Sequence, residues 1–383
     1  MDFDLSEEQR LLQESVGKLI ADEYDFEKRK AYAKEPAGYS PARWAQFAEL
    51  GLLGVPFPES LGGSGGSAVE TMIVMEAFGR GLVLEPYLAT VVLAGGILRR
   101  AGSAGQQREL IPSVIAGKLR LALAHGERQA RYDLADVATS ARSAGESWVL
   151  SGRKAVVIHG DSADRLIVSA RTAGDQRDKV GISLFLVDAK APGLTVQGYP
   201  TVDGLRAAEI QLENVKVGPD ALIGERDRGL AIVEQAVDAG IAALAAEAVG
   251  AMTAMHEITV DYLKTRKQFG VAIGSFQALQ HRAVDMLVSL EQARSMAYLA
   301  TMMAEEPDTA ERRRAISAAK VQIGRSARFV GQQSIQLHGG IGMTMEYKIG
   351  HYFKRVSMID TLFGDAEHHL KLVAEAGGLV DPL

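Results

Sequence analysis

The apolar periodicity of this chain changes twice along its length, and that double change restricts the fold more than any single motif does. Up to about residue 118 the apolar positions recur at helical spacing, as in Leu11, Leu12, Val16, Leu19 and Ile20. Ser6, followed three residues later by Gln9, has the form of a capping box, and Ser40-Pro41 suits a cap and first helical position for a helix that runs through Trp44 and Phe47 to a stop near Gly51. A Gly- and Pro-rich loop, Gly54 to Ser67, follows. From about Arg120 short β-rich runs alternate with turn residues: Leu121 to His125, Trp148 to Leu150, Lys154 to Ile158, Arg165 to Ala170, Ile182 to Val187, Leu194 to Val196 and Glu209 to Leu212. Ser151-Gly152 reads as a tight hairpin turn between two of them. From Gly229 the helical period returns, at Ile232 to Met255, Thr259 to Lys264, Gln277 to Met303, Glu311 to Leu337 and Tyr347 to Phe353. Runs of helices, then strands, then helices imply an α+β protein, with an N-terminal helical domain over 1–118, a middle β domain over 119–225 and a C-terminal helical domain over 226–383.

Composition removes several function classes. The 383 residues carry 42 basic and 48 acidic side chains, so no broad positive field is available for nucleic acid. No cysteine is present, which excludes disulfides, thiolate metal sites and a cysteine nucleophile and fits a reducing compartment. The acidic start, Met1 to Arg10, does not look like a secretory leader. The most apolar stretch, Ala239 to Met255, is interrupted by Glu247 and shorter than the ~20 residues a bilayer requires. The expectation is a cytoplasmic protein with no membrane partner. His125, His159, His338 and His351 lack metal-ligand spacing, so no metal is expected and structural roles are the simpler reading.

Two motifs carry chemistry. The first is Tyr262-Leu-Lys-Thr-Arg266-Lys-Gln268-Phe269-Gly270, continuing to Phe276, Gln277 and Gln280; the second is Gln336-Leu-His-Gly339-Gly340-Ile-Gly342, with Glu346-Tyr347 soon after. Arg266 can present a planar fork of donors to a pyrophosphate. Gln268 and Gln277 can bond phosphate, ribose or adenine edges, Phe269 can cover a ring face, and the glycines admit close approach of backbone to a ligand. The glycine run has no preceding strand, so it is not a nicotinamide-cofactor fingerprint. Over essentially the whole chain, these motifs and the order of the domains resemble the acyl-CoA dehydrogenase family. The resemblance implies that family's fold, FAD as cofactor, and Arg266, Gln268, Phe269, Phe276, Gln277, Gln336, Gly339 and Gly340 as cofactor-binding residues.

Other positions depart from the family pattern. A family glutamate withdraws the α proton of an acyl-CoA while hydride leaves the β carbon for the flavin. Its position here falls on Phe363, in Leu362-Phe363-Gly364-Asp365, and the alternative base position falls on Gly240, followed by Ile241. Neither residue can take a proton, so no catalytic residue is assigned. Glu247 reads as a helix-packing carboxylate, and Asp365, Glu367, His368 and His369 as a solvated polar turn. The flavin-cradling segments of the β domain correspond to Ala124-His125-Gly126-Glu127 and Val156-Val157-Ile158-His159, which replace an aromatic cover by Val156 and a hydroxyl by Ile158. Asp365 and Glu367 stand where a threonine and a glutamine hold FAD in the family, and their charges oppose a diphosphate.

The losses follow a geometric division, because family dimers build each FAD site from the β domain and catalytic loop of one subunit and the two motif segments of the other. This chain keeps the second set. The resemblance therefore implies the small subunit of a heteromeric acyl-CoA dehydrogenase, similar to the small chain of pimeloyl-CoA dehydrogenase, acting in fatty or dicarboxylic acid degradation. Its implied partners are an acyl-CoA substrate, a catalytic subunit and an electron-transferring flavoprotein. Two alternatives stay open. One is a self-sufficient homo-oligomer, dimer or tetramer, with Glu247, Asp365 or Glu367 as a displaced base; the other is an interaction protein that binds no flavin.

Overall fold

The structure is a computed structural model that describes residues 5–377. Its elements follow the helix, strand, helix order: α1 (Glu7–Glu23), α2 (Phe26–Tyr32), α3 (Pro41–Glu49), α4 (Ala68–Gly81), a π-type run over Leu88–Gly95 leading into α5 (Gly96–Ala101), and α6 (Ala104–Ile115). The strands are β1 (Leu121–Ala124), β2 (Ser140–Ala144), β3 (Ser147–Ile158), β4 (Arg165–Arg171), β5 (Ile182–Asp188), β6 (Leu194–Pro200), β7 (Arg206–Val217) and β8 (Leu222–Ile223). Next come α7 (Gly229–Thr265), a hairpin of β9 (Lys267–Gln268) and β10 (Val271–Ala272), then α8 (Gln277–Met303), α9 (Thr309–His338), α10 (Ile349–Thr361) and α11 (Ala366–Glu375). The chain divides into two compact units. One gathers the chain up to Ala31, Ala68–Val83 and Ile241 onward; the other holds Tyr32–Ser67 and Leu84–Gly240.

The second unit is built on an eight-stranded sheet in the order β6-β7-β3-β2-β4-β5-β8, with β1 added parallel to β4. Ladder partners are otherwise mostly antiparallel, and the inner face is filled by Leu150, Leu166, Val168, Phe185, Ile210 and Val215, all at most 1% exposed. Burying one such aliphatic or aromatic side chain contributes about 1.5–3 kcal/mol. The expected turn at Ser151-Gly152 is absent, because β3 is one continuous strand. Its register shifts between Leu150 and Gly152, with Gly152 pressed against Thr139, so the small residues mark a bulge rather than a reversal. The hairpin to β2 closes instead around Gly145, whose φ is +69°.

In the first unit the capping box at Ser6 forms as expected: Gln9 N donates to Ser6 Oγ and Ser6 N to the Gln9 side chain. Helix α4 crosses α7 where both chains are glycine. A Cβ on Gly79 would overlap the Glu247 carbonyl, and one on Gly250 the Glu76 carbonyl, so the two backbones touch. The two expected helices at Ile232 to Met255 and Thr259 to Lys264 are one helix, α7, of 37 residues. It contains an apolar window of the length and composition of a bilayer span, longer than the stretch expected from sequence, but 72% of that window is buried inside the protein, as in a core helix.

Candidate functional site

At the end of α7 the Arg266 N–H donates to the Tyr262 carbonyl, and the chain then reverses through the β9-β10 hairpin. Phe269 and Gly270 form its two-residue turn with φ of +55° and +80°, the signature of a primed turn that matches strand twist. A phenylalanine in this region is strained, yet Phe269 is 90% exposed, so no packing compensates within the chain. Its ring lies 6.2 Å from that of Phe276, edge to face. Phe276 stands at the N-cap of α8 and Gln277 is the first residue of that helix. Arg266 is exposed and has no ion-pair partner among the described residues. The hairpin thus brings Arg266, Gln268, Phe269, Phe276 and Gln277 to one exposed place.

The second motif closes α9. Gln336 is exposed in the last helical turn, Gly339 caps the helix with φ +63°, and a Cβ at Gly339 or Gly340 would meet nothing within 4 Å. Gly342 differs from them: it is buried, and a Cβ would lie 2.9 Å from the Ile335 carbonyl, so it serves packing. His338, for which the sequence implies only a structural role, ties the two motifs together. His338 stacks on Tyr262 at 4.5 Å between centroids and 29° between planes, and lies 5.2 Å from the ring of Tyr347. His338 Nδ1 bonds the Ser334 carbonyl at 2.8 Å, while Nε2 is buried without a hydrogen-bond partner in the structure. Burial therefore lowers its pKa and keeps the ring neutral, with the proton on Nδ1.

The positions where the family pattern fails are filled and engaged. Phe363 sits at φ +60° in a segment held from several sides: His369 Nε2 bonds its carbonyl at 3.0 Å, His369 Nδ1 pairs with Ser317 Oγ at 3.1 Å, and Ala366 N donates to Asp360 at 3.2 Å. The adjacent Ile359 carbonyl accepts from the buried Lys320. The expectation of a solvated polar turn is corrected here. Asp365 is the N-cap of α11, accepting from His368 N at 2.9 Å, and His369 is 4% exposed with its pKa lowered to about 4, chiefly by burial.

Glu247 is bound by both ends. Arg355 on α10 donates to its two carboxylate oxygens at 2.5 and 2.7 Å, and the side chains are 5% and 6% exposed. This is the packing role expected for Glu247, with a partner 108 residues away that no local pattern announced. Glu367 lies exposed in the first turn of α11. Of the three carboxylates named as a displaced base, two are therefore committed to structure.

In the β unit, Glu127 receives Lys154 Nζ at 2.6 Å and the backbone N–H groups of Ala138 and Thr139 at 2.9 and 3.1 Å. Lys154 also reaches Ser169 Oγ at 3.0 Å, and His125 Nδ1 meets the same hydroxyl at 2.8 Å. Burial alone would raise Glu127, but the Lys154 charge and these bonds outweigh it and hold the carboxyl at about 2. Val156, at φ +53°, is half exposed and Ile158 partly buried, so neither an aromatic cover nor a hydroxyl stands at these positions. Among the described residues no group of three or more metal-ligating side chains occurs.

An N-terminal helical region, a β sheet and a C-terminal helical bundle with two exposed, cation- and glycine-bearing segments define a flavoprotein dehydrogenase fold. Three family models cover the chain: the acyl-CoA dehydrogenase N-terminal domain over residues 6–118, the middle domain over 122–215 and the C-terminal domain over 227–378. The chain belongs to the acyl-CoA dehydrogenase family, whose members are oxidoreductases and whose solved structures include FAD complexes. It is 31% identical to the probable acyl-CoA dehydrogenase YngJ of Bacillus subtilis, over 98% of this chain and 99% of that protein. It is also similar to a variant of the Tcur3481-Tcur3483 steroid ACAD, at 32% identity, 97% coverage of each chain and a TM-score of 0.86. The ChsE4-ChsE5 complex of Mycobacterium tuberculosis matches at 25% identity, full coverage of both chains and a TM-score of 0.88.

The motif segments fit FAD, because their donors and ring faces are exposed and the two glycines leave open space. At the positions of the family's first set, the β domain and catalytic loop, the residues are spent on internal bonds or lack the required side chain. Arg266, Gln268, Phe269, Gln277, Gln336 and Gly340 would hold the cofactor.

Proposed function

We propose that this chain is the small subunit of a heteromeric acyl-CoA dehydrogenase, completing with its exposed motif segments an FAD site carried mainly by a catalytic partner of the same family. The observation that supports it most is the division between the two residue sets: among the described residues the exposed side chains of Arg266, Gln277 and Gln336 make no hydrogen bond or ion pair, whereas Glu247 and Asp365 are consumed by Arg355 and by the cap of α11. A base cannot both neutralise a buried arginine and withdraw a proton from substrate. Both solved relatives described above carry paired names, which favours a two-component assembly. The reaction of the assembly is α,β-dehydrogenation of an acyl-CoA, with electrons passed to an electron-transferring flavoprotein. The steroid ACAD relative makes steroid-derived acyl thioesters the first substrates to try.

The test is the visible spectrum of the purified chain, alone and mixed with a candidate catalytic subunit, before and after an acyl-CoA is added. Flavin bands that appear and bleach only in the mixture are expected. A chain that is yellow alone and bleaches with acyl-CoA overturns the proposal, and a chain that never acquires flavin with any partner points to the interaction-protein reading.

A further inference from the structure

Helices α1, α2, α4 and the approach to α10 surround an open cleft of about 290 Å³, lined among others by Gly17, Ala21, Arg29, Arg80, Lys348 and Tyr352. None of these residues belongs to the two motif segments. Three cationic side chains meet here, and the acids beside them are already engaged. Asp25 caps the start of α2 through Lys28 N at 2.9 Å and lies 4.0 Å from the Lys28 amine, and Glu257 takes both terminal nitrogens of Arg80 at 2.8 and 3.3 Å. Arg29 is 4% exposed and is fixed by donating from Nε to the Leu82 carbonyl at 2.8 Å. Lys348 has no ion-pair partner among the described residues, and the Tyr352 hydroxyl donates to the Arg80 carbonyl. Of these cations Arg29 also acts on His351 nearby: burial first, then the charges of Arg29, Lys354 and Lys30, push its imidazole down against its bond to the Met345 carbonyl.

The second observation is Gly17. It lies in the middle of α1, where glycine is the weakest helix former short of proline, and a Cβ there would meet nothing within 4 Å. No close approach of a neighbouring chain requires glycine at this position. Gly17 is exposed on the wall of the cleft, and a side chain there would project into open space.

We propose that this cleft is a binding site for a compact oxyanion, a phosphate or carboxylate group on a small molecule, held by Lys348 within the field of Arg29 and Arg80. Arg29 and Arg80 are fixed before binding, on the Leu82 carbonyl and on Glu257, and spend little further entropy when an oxyanion arrives, while Lys348 supplies the amine that contacts it. Apolar Ile20, Ala21 and Ala77 beside the cations leave room for a short hydrocarbon stem. The site is independent of flavin binding and of the subunit proposal above.

The test is isothermal titration of the full chain, in a chloride buffer of constant ionic strength, with inorganic phosphate in one arm and butyrate in the other. Saturable binding of at least one probe is expected. It should weaken about five- to tenfold in Lys348→Ala and vanish in Gly17→Leu, whose side chain fills the cleft while favouring the helix; circular dichroism and melting verify that both variants fold. Binding of phosphate alone or butyrate alone identifies the group that the site accepts. The proposal is overturned if neither probe binds, or if both variants bind as the parent does, since the interaction would then be diffuse or elsewhere.

Discussion

The ring of Tyr262 lies on that of His338, 4.5 Å between centroids, and joins the end of α7 to the end of α9. Arg266 follows Tyr262 by one helical turn, and Gly339 follows His338 directly, so this ring contact links the two motif segments proposed to meet the cofactor. Replacing His338 by Ala removes a stacked, buried ring and is expected to cost about 3 kcal/mol, combining lost packing with the loss of the aromatic pair. In a mixture with a catalytic subunit, the same variant should capture FAD at least tenfold more weakly. Urea unfolding and flavin titration check the two effects, and weaker capture at unchanged stability would show that the ring touches the flavin instead of positioning the segments.

Glu247 and Arg355 form a buried pair whose loss is asymmetric. Glu247→Leu takes a bidentate carboxylate away from the buried guanidinium of Arg355 and should destabilise the protein by about 3–5 kcal/mol. The double variant Glu247→Leu, Arg355→Met removes both charges and should recover most of that loss, which a double-mutant cycle by denaturant unfolding measures. The same residue tests the displaced-base alternative. Should Glu247→Gln leave the fold intact but abolish turnover in a chain that is active alone, Glu247 is a base and the packing role is secondary.

Acid should weaken the fold before the ordinary carboxylates titrate. Burial, with the Lys154 charge, lowers His125 to about 3, and burial lowers His369 to about 4, against an ordinary value of 6.5. Between pH 6.5 and 4.5 the unfolded chain therefore binds protons that the native chain refuses, so stability is full above this window and falls as pH drops through it. Each such histidine contributes a slope of about 1.4 kcal/mol per pH unit. His338, His351 and His368 are shifted in the same direction and steepen the fall. Below about pH 4.5 Glu127, held at about 2, adds its own loss as the unfolded carboxyl begins to protonate. Denaturant midpoints at pH 7 and pH 5 measure the slope, and His369→Gln should make it shallower; an unchanged slope in that variant would show that His369 does not contribute.

What the sequence disclosed depended on how far apart the deciding residues lie. Ser6 and Gln9 are three apart, and their capping box formed; the expected span from Gln277 to Met303 is α8 itself. Ser151-Gly152 misled because a bulge and a turn use the same small residues, and only the ladder to β7 separates them. The break expected between Met255 and Thr259 arose from polar His256 and Glu257, which a continuous α7 accommodates: Glu257 is exposed and pairs with Arg80, and His256 Nε2 bonds the Ala283 carbonyl of α8 at 3.1 Å. The two motifs expected to meet FAD are each one local run, whereas the commitments of Glu247, Glu127 and Phe363 rest on Arg355, Lys154 and His369, and the first two of those pairs are 108 and 27 residues apart in sequence. A carboxylate in isolation reads the same whether it is a base, a cap or half of an ion pair.

Phe269 sets stability against function. At φ +55° and 90% exposed, it bears the cost of a left-handed backbone without returning buried area. Phe269→Gly should therefore leave the isolated chain as stable or up to about 1 kcal/mol more stable, since glycine adopts this turn without strain, less the entropy it adds to the unfolded state. If the ring is held outward to cover a cofactor shared with a partner, the same change should lower flavin capture by the mixture about tenfold, the effect of removing one aromatic anchor from an interface. Melting of the chain alone and flavin titration of the mixture measure the two quantities separately. A stable variant with normal flavin capture would remove Phe269 from the cofactor site and leave its strained conformation unexplained by flavin binding.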